Sequence, residues 1–111
     1  MEFLEQLRNA NQARQKLWDP ENKISGSIGK LFRSNELVGE AGEAANEIKK
    51  LVREEMNIKG SRTTSQKLAD ELADVIICAD LVAEMYEINL IDSIRGKFNE
   101  TSDKVGFDIK L

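Results

Sequence analysis

Apolar residues recur along this chain at three- and four-residue intervals rather than in alternation, and that spacing gathers them on one face of a helix. Over residues 2–17, Phe3, Leu7, Ala10 and Leu17 follow it, and Asp19-Pro20 stops it, which predicts an amphipathic first helix. The segment ENKISGSIG is polar and carries glycines, so it reads as a loop into a long second helix that opens near Ser27 or Ser34 and runs to about Ile58. KGSRTT is the next break. Thr63 followed by Gln66 fits a capping box for a third helix through about Ile88, the most apolar of the set. Asn89 suits the cap of a last helix, IDSIRGKFNETSDK, closed by Gly106, and FDIKL beyond it is too short to matter as a sheet.

No stretch alternates convincingly with period two, and β-branched residues do not cluster between turn signals, so the expected class is all-α. Four helices with one highly apolar member suggest a four-helix bundle. A third helix apolar on nearly every side needs more neighbours than three small amphipathic partners supply, which predicts completion by oligomerisation.

Composition narrows the chemistry. With 111 residues, 41% of them apolar, the chain has room for one core, and a single domain over residues 1–111 is expected. A net charge of -4 offers no general attraction to nucleic acid or anionic membrane. No apolar run approaches the roughly 20 residues of a membrane span, and Met1-Glu2 opens no signal segment, so a cytoplasmic protein is expected. The lone Cys78 allows no intrachain disulfide, and the absence of histidine removes the usual zinc sites and histidine triads. Hydrolytic chemistry would have to come from carboxylates, a metal or lysine.

The second helix carries a carboxylate stripe: Glu36, Glu40, Glu43 and Glu47 fall within an arc of roughly 60°. A solvated surface stripe is the bland reading. Against it, the apolar arc of Leu37, Ala41, Ala44, Ile48 and Leu51 is centred only about 100° away, so the glutamates border the core instead of opposing it. Lysines four residues on, which would relieve the repulsion, are missing from this face. On the third helix Glu71 and Asp74 repeat the three-residue spacing amid Leu72, Val75, Ile76 and Ile77, beyond the first turn where a helix dipole would favour them. Such carboxylates enter the bundle or its margin, where they need a partner or a cation. Two pairs facing across a bundle form an oxygen-only cage suited to Mg²⁺ or Mn²⁺ and poor for zinc.

The runs ELVGEAGEAANEIKKL and LADELADVI resemble the MazG-like all-α nucleoside triphosphate pyrophosphohydrolases. IDSIRGKFNETSDKVG and ARQKLWDP are similar to the short, single-domain members of that family, so the resemblance touches all four expected helices. It implies Mg²⁺-dependent hydrolysis of nucleoside or deoxynucleoside triphosphates to the monophosphate and pyrophosphate, in the service of nucleotide-pool housekeeping. It places the metal on Glu40, Glu43, Glu71 and Asp74. Glu47 becomes a group behind those ligands or a base that orients water, and Glu36 is peripheral. In related enzymes acting on deoxycytidine triphosphate an aromatic hydroxyl occurs one turn after the motif aspartate; here that place is Cys78, which leaves the base preference open.

Phosphate contacts are expected from Lys50, which lies beside the stripe, and from Arg62 in the loop and Lys97, within one chain or across a subunit boundary; the resemblance associates Lys97 and Asn99 with the nucleotide site. Trp18 either offers a flat face to a base or staples the first helix, and Phe32 shares the ambiguity. Cys78 and Met85 lie on the carboxylate side of the third helix, either lining the pocket or packing. A homodimer or homotetramer is expected. Two competing readings stand beside this one: an enzyme with a narrow substrate such as dUTP or phosphoribosyl-ATP, and a non-catalytic helical module for oligomerisation or nucleotide binding.

Overall fold

The computed structural model describes residues 2–111. Among them are four helices and no strand: α1 (Phe3–Trp18), α2 (Gly26–Glu55), α3 (Ser65–Met85) and α4 (Leu90–Val105). The helical class and the order of elements agree with the periodicity. The ends differ, and each difference has a local cause. Asp19 does more than precede a proline: its carboxylate accepts the N–H groups of Lys23 at 2.9 Å and Ile24 at 2.7 Å, which hold its pKa below the usual value. That turn lets α2 begin at Gly26, ahead of either expected start.

At its far end α2 stops at Glu55 rather than near Ile58, because Asn57 turns the chain with a φ of 54° and Ile58 N–H returns to the Arg53 carbonyl at 2.9 Å. The expected capping box at Thr63 is not formed. Thr64 is the cap, its hydroxyl accepting Lys67 N–H at 3.2 Å, and the Gln66 amide donates forward to Asp70 at 2.9 Å instead of back to the cap. Thr63 is drawn away because its N–H donates to Glu54 Oε1 at 3.0 Å. Similarly α3 ends at Met85, short of Ile88, where Glu87 takes a φ of 55°.

The principal packing is α2 on α3, with α1 laid along α3; α4 makes no more than marginal contact with the other helices. One chain therefore forms a three-helix body with α4 projecting from it, rather than a closed four-helix bundle. Close approach of α2 to α3 depends on Gly29, where a Cβ would lie 2.5 Å from Met85 Cε and 2.9 Å from the Ile24 backbone. Met85 thus packs against the Gly29 crossing, the packing alternative of the two expected for it.

Of the apolar spacing on α1 only Leu7 is half-buried; Ala10 is exposed, and Phe3 and Leu17 are 74% and 82% exposed. What docks is Arg8 and Asn11. Arg8 Nε meets Asp80 Oδ1 at 2.9 Å, Asn11 Nδ2 meets Asp80 Oδ2 at 2.9 Å, and Arg8 Nη2 donates to the Ile88 carbonyl at 2.8 Å. Asp80 is only 1% exposed, so its charge is tolerated because both oxygens are bonded and a guanidinium neutralises it. Buried apolar residues are few and small: Ala44, Cys78 and Ala83.

Removing Arg8 would leave a buried carboxylate with Asn11 alone. Arg8→Ala is expected to lower the free energy of unfolding by about 3 kcal/mol, measured in urea at fixed protein concentration. Lys23→Ala, which breaks an exposed pair with Glu21, should change it by less than about 1 kcal/mol.

Candidate functional site

The α2–α3 contact draws carboxylates together at its edge. Oxygens from Glu40, Glu43 and Glu71 all lie within 4.8 Å of one another. Glu40 and Glu71 are half-buried, Glu43 is exposed, and one oxygen each of Glu40 and Glu71 (Oε2) is shielded from solvent with no hydrogen-bond partner. Asp74, expected as the fourth member, is exposed and stands outside this group, although its charge still reaches both Glu40 and Glu71.

Like charges at this range oppose ionisation. Burial, followed by the charges of Glu43 and Asp74, raises the Glu40 pKa above the ordinary carboxyl value; Glu71 is raised chiefly by its neighbour Glu43 and then by burial. Cys78 packs against this edge as expected, and its thiol is pushed up by burial first and then by the charges of Glu36, Glu40 and Asp74.

The outer glutamates of the stripe behave differently. Arg33 Nη1 lies 2.6 Å from Glu36 Oε1, and Lys50 Nζ lies 3.3 Å from Glu47 Oε1. Lysines four residues on are indeed missing, but relief for the ends comes from three residues before Glu36 and three after Glu47. Glu47 is buried, and the hydroxyl of Thr63 is the largest influence holding its pKa low, followed among the stabilising contacts by Lys50. That hydroxyl makes no hydrogen bond of ordinary geometry, so its effect on Glu47 is one of proximity. The stripe thus divides into paired ends and an unpaired middle, Glu40 and Glu43.

The expected phosphate-binding side chains are engaged elsewhere within one chain. Lys50 is turned to Glu47. Arg62 donates to the Ile58 carbonyl at 2.9 Å, and Lys97 pairs with Glu100 at 3.5 Å on the projecting α4. Asn99 accepts Leu111 N–H at 2.8 Å, tying down the residues after α4. Trp18 does not staple α1: it is 71% exposed, with the Arg14 guanidinium 4.9 Å from its ring centroid. Phe32 is also largely exposed, beside Arg33. A cleft of about 900 Å³ opens where α1, the start of α2 and the end of α3 meet, but its walls include Arg8, Gln15, Arg33 and Asp80 and none of the carboxylates of the cluster.

Two contributors are absent from the sequence-based expectations. Arg33 is legible from its spacing to Glu36, whereas Thr63 reaches Glu47 only through the turn between α2 and α3, which no local pattern reveals. A hard, oxygen-preferring cation fits the donor set, because three carboxylates converge without a protein cation among them and two shielded oxygens lack partners. No family model, no curated protein and no solved structure matches this chain.

The raised pKa values fix the sign of a pH effect. Glu40 and Glu71 are easier to protonate folded than unfolded, so their presence lowers stability progressively as pH rises from the unfolded carboxyl range through their raised folded values. In chelator, Glu40→Gln should melt with the parent below about pH 4 and above it at about pH 7. Bound at the cluster, Mg²⁺ would stabilise the parent's ionised carboxylates, so excess Mg²⁺ should reverse that advantage. A melting difference independent of both pH and Mg²⁺ would show that the cluster is not electrostatically strained.

Proposed function

We propose that this chain is a Mg²⁺-dependent nucleoside triphosphate pyrophosphohydrolase that releases pyrophosphate from nucleoside or deoxynucleoside triphosphates and leaves the monophosphate. The observation that carries the reading is the convergence of Glu40, Glu43 and Glu71 from two helices with no cation of the protein's own. The resemblance to the MazG-like family, on the same residues, supports it independently of the geometry. Cytoplasmic nucleotide-pool housekeeping by a homodimer or homotetramer is part of the proposal.

In this reading Glu40, Glu43 and Glu71 hold the ion, with Asp74 at the open rim completing its surroundings. Bound Mg²⁺, or Mn²⁺ in its place, supplies positive charge that draws a triphosphate to an acidic surface and polarises its phosphoryl oxygens. The chain contributes orientation and proton handling. Glu47 Oε1 is committed to Lys50, while Oε2 has no partner and is the atom available to accept a hydrogen bond from water. Its lowered pKa makes it a weak base, which suits ordering a water better than storing its proton. Lys50, Arg62, Lys97, Asn99 and Trp18 are the substrate-binding candidates. Lys97 and Asn99 lie on the projecting α4, apart from the cluster of their own chain.

The exposed apolar surface also favours a second reading, a helical assembly module without turnover. Pyrophosphate release across the NTPs and dNTPs, with Mg²⁺ and with chelator, separates them. Release is expected only with Mg²⁺, with monophosphate as co-product. Glu43→Gln, Glu71→Gln and Asp74→Asn should each reduce kcat about a hundredfold or more with helix content unchanged, because each withdraws charge from the ion that stabilises the transition state. Folded protein that releases pyrophosphate from none of these nucleotides would sink the hydrolytic reading, and full activity in all three variants would sink the site.

A further inference from the structure

The surface of a single chain is too large for its mass. A folded monomer of 12.5 kDa exposes about 6,200 Å², whereas this chain exposes 8080 Å². Its radius of gyration is 17.4 Å, against about 13 Å for a compact domain of this length. The excess of about 1,900 Å² per chain is more than twice the roughly 800 Å² that each partner gives to a standard interface, and it lies in the range of obligate pairs.

That surface has two apolar parts. One is α4 with the residues that follow it: Gly106 ends the helix with a φ of 78°, Phe107 N–H returns to the Ser102 carbonyl at 2.9 Å, and Leu111 N–H is held by Asn99 at 2.8 Å. Ile94, Phe98, Val105, Phe107 and Ile109 then line an apolar groove of about 740 Å³. The other part is on the three-helix body, where Val38, Ile48 and Val52 of α2 and Leu72 and Ile76 of α3 are exposed. On α2 these fall on the flank away from Glu40 and Glu43, so covering them leaves the acidic cluster open.

The corner between α3 and α4 directs α4 away from the body of its own chain. That corner is fixed by Ile88 N–H on the Ala83 carbonyl at 2.9 Å and by Arg8 on the Ile88 carbonyl at 2.8 Å. A second copy presents the same helix in equal number, and two-fold pairing covers both surfaces twice. We propose that residues 90–111 of one copy dock on the exposed α2–α3 apolar face of a second copy, and reciprocally, so that folding and pairing of this chain are one event. The docking supplies the surface for the self-association proposed above and does not depend on turnover.

The test uses the full chain. Sedimentation across a concentration series should give a species of twice the chain mass, with a melting temperature that rises with concentration. Lysine crosslinking of mixed ¹⁴N and ¹⁵N chains should join Lys97 or Lys104 of one copy to Lys49 of the other. Ile94→Asp and Phe98→Asp should each weaken the pair about thirtyfold or more, and Lys23→Gln should leave it unchanged. The crosslinks are formed on unmodified protein, so they bear on the docking however the variants fold. A compact monomer at every concentration overturns both the inference and self-association. A pair with mixed-label crosslinks only between the two α4 helices, or one insensitive to both aspartates, overturns the docking and leaves self-association standing; pyrophosphate release is measured separately and bears on neither.

Discussion

Electrostatic repulsion at the α2–α3 contact is the constraint from which the candidate site follows. Packing these helices brings Glu40, Glu43 and Glu71 within 4.8 Å of one another, in surroundings where burial already opposes ionisation. The chain supplies cations to the ends of the acidic stripe, Arg33 to Glu36 and Lys50 to Glu47, and leaves the middle without one. Surface charge selected for solubility has no reason to be neutralised at its ends and concentrated where two helices meet. A divalent ion bound there would remove the repulsion and satisfy the shielded oxygens together.

A scaffold able to hold such strain would ordinarily rest on a large apolar core, and a single copy of this chain does not have one. Among the described residues its buried apolar side chains are two alanines and a cysteine. Order in the body comes to a large degree from directional bonds: Asp80 clasped by Arg8 and Asn11, Asp19 turning the first corner, Thr64 and Asn89 capping α3 and α4. Arg8 does this twice, neutralising Asp80 and fixing the corner from which α4 departs. The polar network that stabilises the body thereby also dictates that α4 seeks its apolar partner outside it.

Much of the fold is legible in the chain because it is local. Helix periodicity, the Asn89 cap and the Gly106 stop depend on neighbours a few residues apart, and all three are observed. The cap of α3 lies one residue beyond its expected place because consecutive threonines are locally equivalent and a remote carboxylate, Glu54, selects between them. The docking face of α1 departs from expectation for a related reason: apolar spacing identifies a helix, but which stripe meets a neighbour depends on what that neighbour offers, and α3 offers Asp80.

The sequence by itself determined that the chain is helical, where its helices fall, that histidine chemistry is absent, and that one glutamate stripe borders an apolar arc, since each rests on composition or short-range spacing. Only the tertiary structure decided that Glu40, Glu43 and Glu71 converge while Asp74 stands apart, that Thr63 comes to Glu47, and that α4 leaves the body with its apolar groove uncovered. Those outcomes depend on the relative placement of helices, fixed by side chains as distant in sequence as Arg8 and Asp80 or Glu54 and Thr63, and a helical wheel carries no information about the distance between two wheels.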